Sequence, residues 1–197
     1  DSTGLAEETI VIFTSDHGDM TGAHGGLIDK GLLYEEAVRV PLLFRHKTVK
    51  AGKREALASN MDILPSVIDL IGLEVPDRHG ISLKPELNDP NVASRDTLLI
   101  EYHGLRFLYS QRALIRRDGM KFIFTPGDYD ELYDLRVDPG ETQNLVSCSE
   151  KVDDLAKMRS LLISETARLN DPLRDCVAKF NGIWKTDSGQ FDASMTP

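Results

Sequence analysis

The chain has 197 residues with 23 basic and 32 acidic side chains, a formal net charge of −9, and is 41% hydrophobic and 28% charged. This is the composition of a globular rather than a disordered protein, and the length suffices for one large domain or two small ones. No apolar run approaches the ~20 residues that cross a bilayer, and the acidic excess speaks against a nucleic-acid surface, whose affinity rests on Lys and Arg neutralising phosphates.

The sequence opens Asp1-Ser2-Thr3-Gly4, without Met, and soon reaches an apolar strand, as expected of a piece of a longer protein. Thr9-Ile10-Val11-Ile12-Phe13-Thr14 is an unbroken β-branched and aromatic run. Such a run predicts a strand covered on both faces, as in a parallel α/β sheet. It stops at Ser15-Asp16-His17-Gly18. Gly18, Gly22, Gly25, Gly26 and Gly31 then mark a loop shaped around something. Residues 40–44 form a second apolar strand, with Pro41 placing its start near the sheet rim. Residues 47–54 read as a polar connection. Next comes a helix, with Asp62 as N-cap, Pro65 in the first turn and Gly72 past the end. Leu64, Val67, Ile68 and Ile71 form its expected apolar stripe. Residues 76–90 show no element and predict a boundary.

Beyond it, residues 97–102, 112–116, 120–125 and 131–135 are short strand candidates. Asp118-Gly119 and Pro126-Gly127-Asp128 are reversals between them, so an antiparallel sheet is expected. Val152, Leu155, Met158, Leu162 and Leu169 describe an amphipathic helix over about 150–170, ended by Asp171-Pro172. From Pro172 the signal weakens, and the last ten residues read as a tail. Cys148 and Cys176 allow one bridge or two free thiols.

For chemistry, Asp16 and His17 stand where the first strand ends, the position at which open α/β sheets bind ligands. Asp offers a hard oxygen and His an imidazole nitrogen to one cation. The plainer alternative is a turn-capping Asp beside a surface His. Lys30 ends the glycine-rich loop and is either a surface charge or a partner for an anion held by that cation. His24, in Gly22-Ala23-His24-Gly25, is a proton donor or a loop histidine, and His103 reads as the latter. No P-loop, Gly-x-Ser-x-Gly elbow or Cys-x-Pro-Ser-Arg nucleophile occurs.

In order, these strings resemble the C-terminal part of the sulfatase family, within the alkaline-phosphatase-like superfamily. The run from Thr9 to Met20 is similar to that family's strand and metal-binding turn, and Gly22-Ala23-His24-Gly25 follows as in many members. The stretch from Lys30 to Leu42 resembles the family's lysine segment, and Asp62-Ile63-Leu64-Pro65-Ser66 its following helix. Gly80-Ile81-Ser82-Leu83 and Glu131-Leu132-Tyr133-Asp134-Leu135, with Asp138-Pro139, are similar to later family segments. The resemblance spans about residues 5–146.

The resemblance implies an α/β fold: residues 1–95 as the C-terminal portion of an alkaline-phosphatase-like catalytic domain, and residues 96–197 as a small α+β subdomain with an antiparallel sheet and a C-terminal helix. It implies a sulfuric ester hydrolase acting on a sulfate ester. Asp16 and His17 would be ligands of a divalent cation, usually Ca²⁺. His17 stands where many members have Asn, which also admits Mn²⁺. Lys30 would bind the ester's sulfonyl oxygens, and His24 is carried over as a second catalytic candidate. The loop between His24 and Lys30 is one residue longer than in common members. The family's formylglycine nucleophile and two further metal carboxylates belong upstream, so the chain alone is expected to be inactive. The alternatives are a phosphonate monoester or phosphodiester hydrolase of the same superfamily, or a non-catalytic remnant.

Overall fold

The computed structural model describes residues 2–76, 79–104 and 110–182, so the tail read from the last ten residues lies outside the described part. The chain divides into two units, Asp1–Lys30 with Glu36–Leu98, and Gly31–Glu35 with Leu99–Pro197.

In the first unit, β1 (Val11–Thr14) runs antiparallel to β2 (Leu42–Arg45), with Phe13 opposite Leu43 and Val11 opposite Arg45. The pairing of β1 with β2 is thus antiparallel and not the parallel one expected for residues 9–14. Among the described residues β1 belongs to a two-stranded ribbon, and Val11, Phe13 and Leu43 are 45%, 62% and 57% exposed. An apolar run reports how much cover its side chains favour, but neither the direction of pairing nor the segment that supplies the cover.

The helix α3 (Ile63–Leu70) follows directly on Asp62. A 3-10 turn, Asn60–Asp62, precedes it, and Ser59 and Asp62 form a capping box. Asp62 stands at the N-cap position of α3 as expected, but its side chain closes the box on Ser59 and does not cap α3. Its buried carboxylate accepts from the Ser59 and Ile81 amides at 2.7 and 2.9 Å and from Arg95 at 2.6 Å. The expected apolar stripe is also corrected, because Pro65, Ser66 and Leu70 are buried while Leu64 and Ile71 are exposed. Ser66 turns inward because its hydroxyl donates to the Asp62 carbonyl at 2.6 Å and accepts from the Leu83 amide at 2.9 Å. A small polar side chain that satisfies two buried backbone groups outweighs periodicity here. Within residues 76–90 lies a further helix, α4 (Lys84–Asn88), too short for a period to show. Arg54, inside the expected polar connection, donates to the Glu86 and Leu87 carbonyls at its end.

The second unit is built on a four-stranded sheet, in the order β3 (Thr97–Tyr102), β4 (Gln111–Arg116), β5 (Met120–Phe124), β6 (Glu131–Asp134). The antiparallel β4–β5 hairpin turns at Asp118-Gly119, where Gly119 has φ 92°, a conformation that side-chain-bearing residues disfavour. On one face, Leu114, Met120, Phe122 and Leu132 pack with Met158 and Leu162 of α5 (Val152–Arg168) and Val177 of α6 (Arg174–Gly182), all essentially inaccessible. The sequence gives no period for α6, which covers nine residues. On the opposite face, Lys121 is fully buried between Glu35 at 3.0 Å and Glu141 at 2.8 Å. β5 is thus buried along its whole length, with an ion-paired lysine serving one of its faces. Both cysteines are free thiols. No helix among the described residues is long and apolar enough to cross a membrane.

Candidate functional site

The turn that follows β1 carries Asp16 and His17. The Asp16 carboxylate accepts from the His17 amide at 3.0 Å and meets the Ser15 hydroxyl at 3.3 Å. The His17 amide, and then the imidazole, hold that carboxyl below the usual carboxylate range. His17 Nδ1 lies 2.7 Å from the Gly18 carbonyl oxygen. A carbonyl can only accept, so Nδ1 carries the hydrogen and Nε2 presents its lone pair. This is the arrangement in which a backbone carbonyl orients a metal-binding histidine.

Lys30 comes to the same place. Its Nζ is 2.6 Å from His17 Nε2, and His17 Nε2 is 3.4 Å from Asp16 Oδ2. Asp16, His17 and Lys30, three of the four residues singled out in the sequence, therefore converge at one exposed point. The fourth, His24, sits in the glycine-rich turn α1 (Ala23–Gly26), where it adopts φ 50° between Gly22 and Gly25. Its Nε2 is 3.5 Å from Glu36 Oε2, so a different residue engages it. His103 makes an exposed contact with Glu101 at 3.0 Å, in keeping with its plain reading.

Asp16 Oδ2 and His17 Nε2 are donor types that a divalent cation takes, and Lys30 Nζ, which holds the Nε2 lone pair at 2.6 Å, has to withdraw before Nε2 can ligate one. Adjacent oxygens or nitrogens around Ca²⁺, with bonds of about 2.3–2.6 Å, stand about 3.3–3.7 Å apart at right angles, and around Mg²⁺ they stand closer. The 3.4 Å separation of Asp16 Oδ2 and His17 Nε2 falls in the wider range.

Two residues not anticipated from the sequence shape this turn. Asn60 donates from its amide to the Ser15 carbonyl at 2.9 Å and the Asp16 carbonyl at 3.3 Å, tying the turn to the start of α3. The Ser59-x-x-Asp62 capping pattern was the available signal for an ordered segment there. Gly18 is the second. Its amide donates to the Ala37 carbonyl at 2.8 Å, beside the short helix α2 (Glu35–Val38), and a Cβ at this position would lie 1.9 Å from the Glu36 carbonyl oxygen. A backbone atom cannot swing aside as a side chain does. Gly18→Ala is expected to destabilise the chain by about 1–3 kcal/mol, read as a lowered urea midpoint; an unchanged midpoint would contradict the close approach.

A family model described as N-sulphoglucosamine sulphohydrolase, C-terminal, matches residues 22–168. The chain belongs to the sulfatase family. It is 33% identical over 192 residues to an N-acetylglucosamine-6-O-sulfatase of Bacteroides thetaiotaomicron, covering 91% of this chain and 34% of that protein. Among solved structures, it superposes on BT4656 in complex with its substrate D-glucosamine-2-N,6-O-disulfate, with a TM-score of 0.79 and 30% identity over 88% of this chain and 37% of the other. It also superposes on a phosphonate monoester hydrolase of Agrobacterium radiobacter, with a TM-score of 0.70, 27% identity, and coverage of 85% and 36%. The sulfatase chain thus spans about a third of the length of these relatives and has the alkaline-phosphatase-like α/β fold over that part. Members of the family generally use a divalent cation and a formylglycine.

Proposed function

We propose that this sulfatase chain supplies part of the active site of a sulfuric ester hydrolase. In this reading residues 1–95 belong to the catalytic α/β domain and residues 96–197 form its C-terminal subdomain. The carrying observation is the convergence of Asp16, His17 and Lys30, with His17 Nε2 within 2.6 Å of Lys30 Nζ and 3.4 Å of Asp16 Oδ2.

Asp16 and His17 would hold the cation, Ca²⁺ by their donor spacing, with Mn²⁺ admitted by the imidazole. A cation held by Asp16 and His17 would supply charge neutralisation at the ester's oxygens. The chain's own part is then electrostatic and positional. The Gly18 carbonyl keeps the His17 hydrogen on Nδ1, and Asn60 holds the backbone carbonyls of Ser15 and Asp16 in place. Lys30, exposed on its flexible stem, places an ammonium where it can bind a sulfonyl oxygen and oppose the charge that grows there during hydrolysis. His24, held by Glu36, is a candidate proton donor to the leaving oxygen. The formylglycine motif is not within these 197 residues, and the nucleophile is assigned to the rest of the protein.

Likeness to a phosphonate monoester hydrolase at a TM-score of 0.70 supports a second reading within the same chemistry. The full-length protein decides between them when turnover of an aryl sulfate is measured beside that of the matching aryl phosphonate monoester. A kcat/KM higher for the sulfate is expected. Preference for the phosphonate would replace this reading with the second, and turnover of neither would leave a non-catalytic remnant.

A further inference from the structure

The turn that carries Asp16 and His17 is held from behind by a chain of contacts lying wholly within the first unit. Asn60 stands across from the end of β1. Its Nδ2 donates to the Ser15 carbonyl at 2.9 Å and to the Asp16 carbonyl at 3.3 Å, and its Oδ1 lies 3.3 Å from the Thr14 hydroxyl. The two carbonyls belong to the peptide planes on either side of the Asp16 Cα. Each plane is rigid, so one side-chain amide restrains both backbone dihedrals of Asp16. The second of these planes leads directly into His17.

Asn60 is exposed, and an amide on a loose loop would restrain nothing. Its backbone, however, is fixed. Asn60 opens the 3-10 turn Asn60–Asp62, which the Ser59–Asp62 capping box closes. The Asp62 carboxylate is fully buried and takes the Ile81 amide and Arg95 Nη2 on one oxygen and the Ser59 amide on the other. Gly80 presses on the same turn so closely that a Cβ there would lie 2.1 Å from the Met61 carbonyl oxygen. Arg95, 13% exposed at its side chain, is thus the counter-charge of a buried carboxylate that locks the turn bearing Asn60.

We propose that Asn60 is a positioning residue for the cation site, setting the spacing of the Asp16 and His17 donors, and that Arg95 acts on the same site through Asp62 and Asn60. The inference rests on the reading of Asp16 and His17 as cation ligands and adds what sets their affinity. A turn free to choose its dihedrals has to be ordered when the cation arrives, and that ordering subtracts from binding. Groups that orient metal ligands without touching the metal contribute about 10–100-fold to its affinity.

The test titrates the full-length protein, stripped of cations with EDTA, with Ca²⁺ alone by calorimetry. Asn60→Ala should raise the Kd by roughly 10–100-fold, while the melting temperature of the cation-free protein holds, since the side chain is exposed. Asn60→Asp separates positioning from charge. It keeps the shape and loses both donors, yet brings a negative charge towards the cation. Weaker binding in Asn60→Asp, with turnover that recovers at saturating Ca²⁺, supports positioning. Binding as tight as wild type or tighter overturns it, as does an unchanged Kd in Asn60→Ala. Arg95→Lys should weaken Ca²⁺ binding in the wild-type background and not in Asn60→Ala; no effect in wild type, or equal effects in both backgrounds, would remove Arg95 from the path. Asp16→Asn, run beside these, tests the underlying reading. If it binds Ca²⁺ like wild type, the cation assignment falls and the proposal with it. If it binds weakly while the Asn60 variants bind like wild type, the proposal alone falls.

Discussion

Lys30→Ala in the full-length sulfatase is expected to lower kcat/KM for a sulfate ester by roughly 10²–10³-fold, the loss typical of removing one preorganised charge-stabilising donor. Lys30 is exposed, and its side chain contacts His17, so the fold should not suffer and the melting temperature should hold. Asp16→Asn should also lower turnover but differ in character. Asp16 is 85% exposed at its side chain and keeps its shape as Asn, while the hard anionic oxygen that favours a divalent cation is lost. Raising the Ca²⁺ concentration should therefore restore part of the Asp16→Asn activity and none of the Lys30→Ala activity. Initial rates across a Ca²⁺ series separate the two roles. Equal rates in wild type and Lys30→Ala would remove the lysine from the site, and equal Ca²⁺ dependence in wild type and Asp16→Asn would remove the aspartate.

The largest expected effect on stability lies in the second unit. Arg112 and Asp171 form a fully buried pair, with Nε to Oδ2 at 2.7 Å and Nη2 to Oδ1 at 3.1 Å. Arg112 also donates to the carbonyls of Tyr102 and Gln111, and Asp171 accepts from the Leu173 amide. Asp171→Ala leaves a buried guanidinium without its paired carboxylate and should cost roughly 3–5 kcal/mol, measured as the unfolding free energy in urea. A loss no larger than an exposed pair gives would show the site to be wetter than its geometry implies. The pH dependence has a definite sign. Burial pushes the Asp171 carboxyl up, but the Arg112 hydrogen bonds and the Leu173 amide outweigh it and leave it below its ordinary value. A carboxyl depressed in the native state stabilises above its unfolded pKa and loses that contribution as the pH falls through the folded value. Wild-type stability should thus fall on acidification below about pH 4, and Asp171→Ala should make that fall shallower. Asp118, Asp134 and Asp154 shift the same way beside arginines, so the slope is reduced and not abolished.

The parts of this molecule that the sequence discloses are those governed by local chemistry. The strand at 97–102 and the turn at Asp118-Gly119 emerge where expected, because alternation and φ preference act over a few residues. The helix α5 is legible through Met158 and Leu162, which meet the sheet, although Val152 at its start remains 60% exposed. The inward face of α3 was hidden because Ser66, a polar residue, earns its burial by bonding two backbone groups. In the site, the types and order of Asp16, His17 and Lys30 were readable from the family resemblance, but their meeting point was not. It depends on Asn60, distant in sequence, and on a glycine whose missing side chain admits the backbone of residue 36. Neither leaves a periodic trace.

The assignment of Gly31–Glu35 to the second unit bears on how the chain can be divided. The polypeptide passes between its units at residues 30/31, 35/36 and 98/99. A single protease cut after Leu98 would release a second unit still lacking five residues, among them Tyr34, which bonds Glu131, and Glu35, which pairs with the buried Lys121. The same holds for gene recombination. A C-terminal module grafted between relatives at one junction would arrive with Lys121 short of a partner. Exchange would succeed only if residues 31–35 travelled with it, and Lys30 is the residue immediately before that segment.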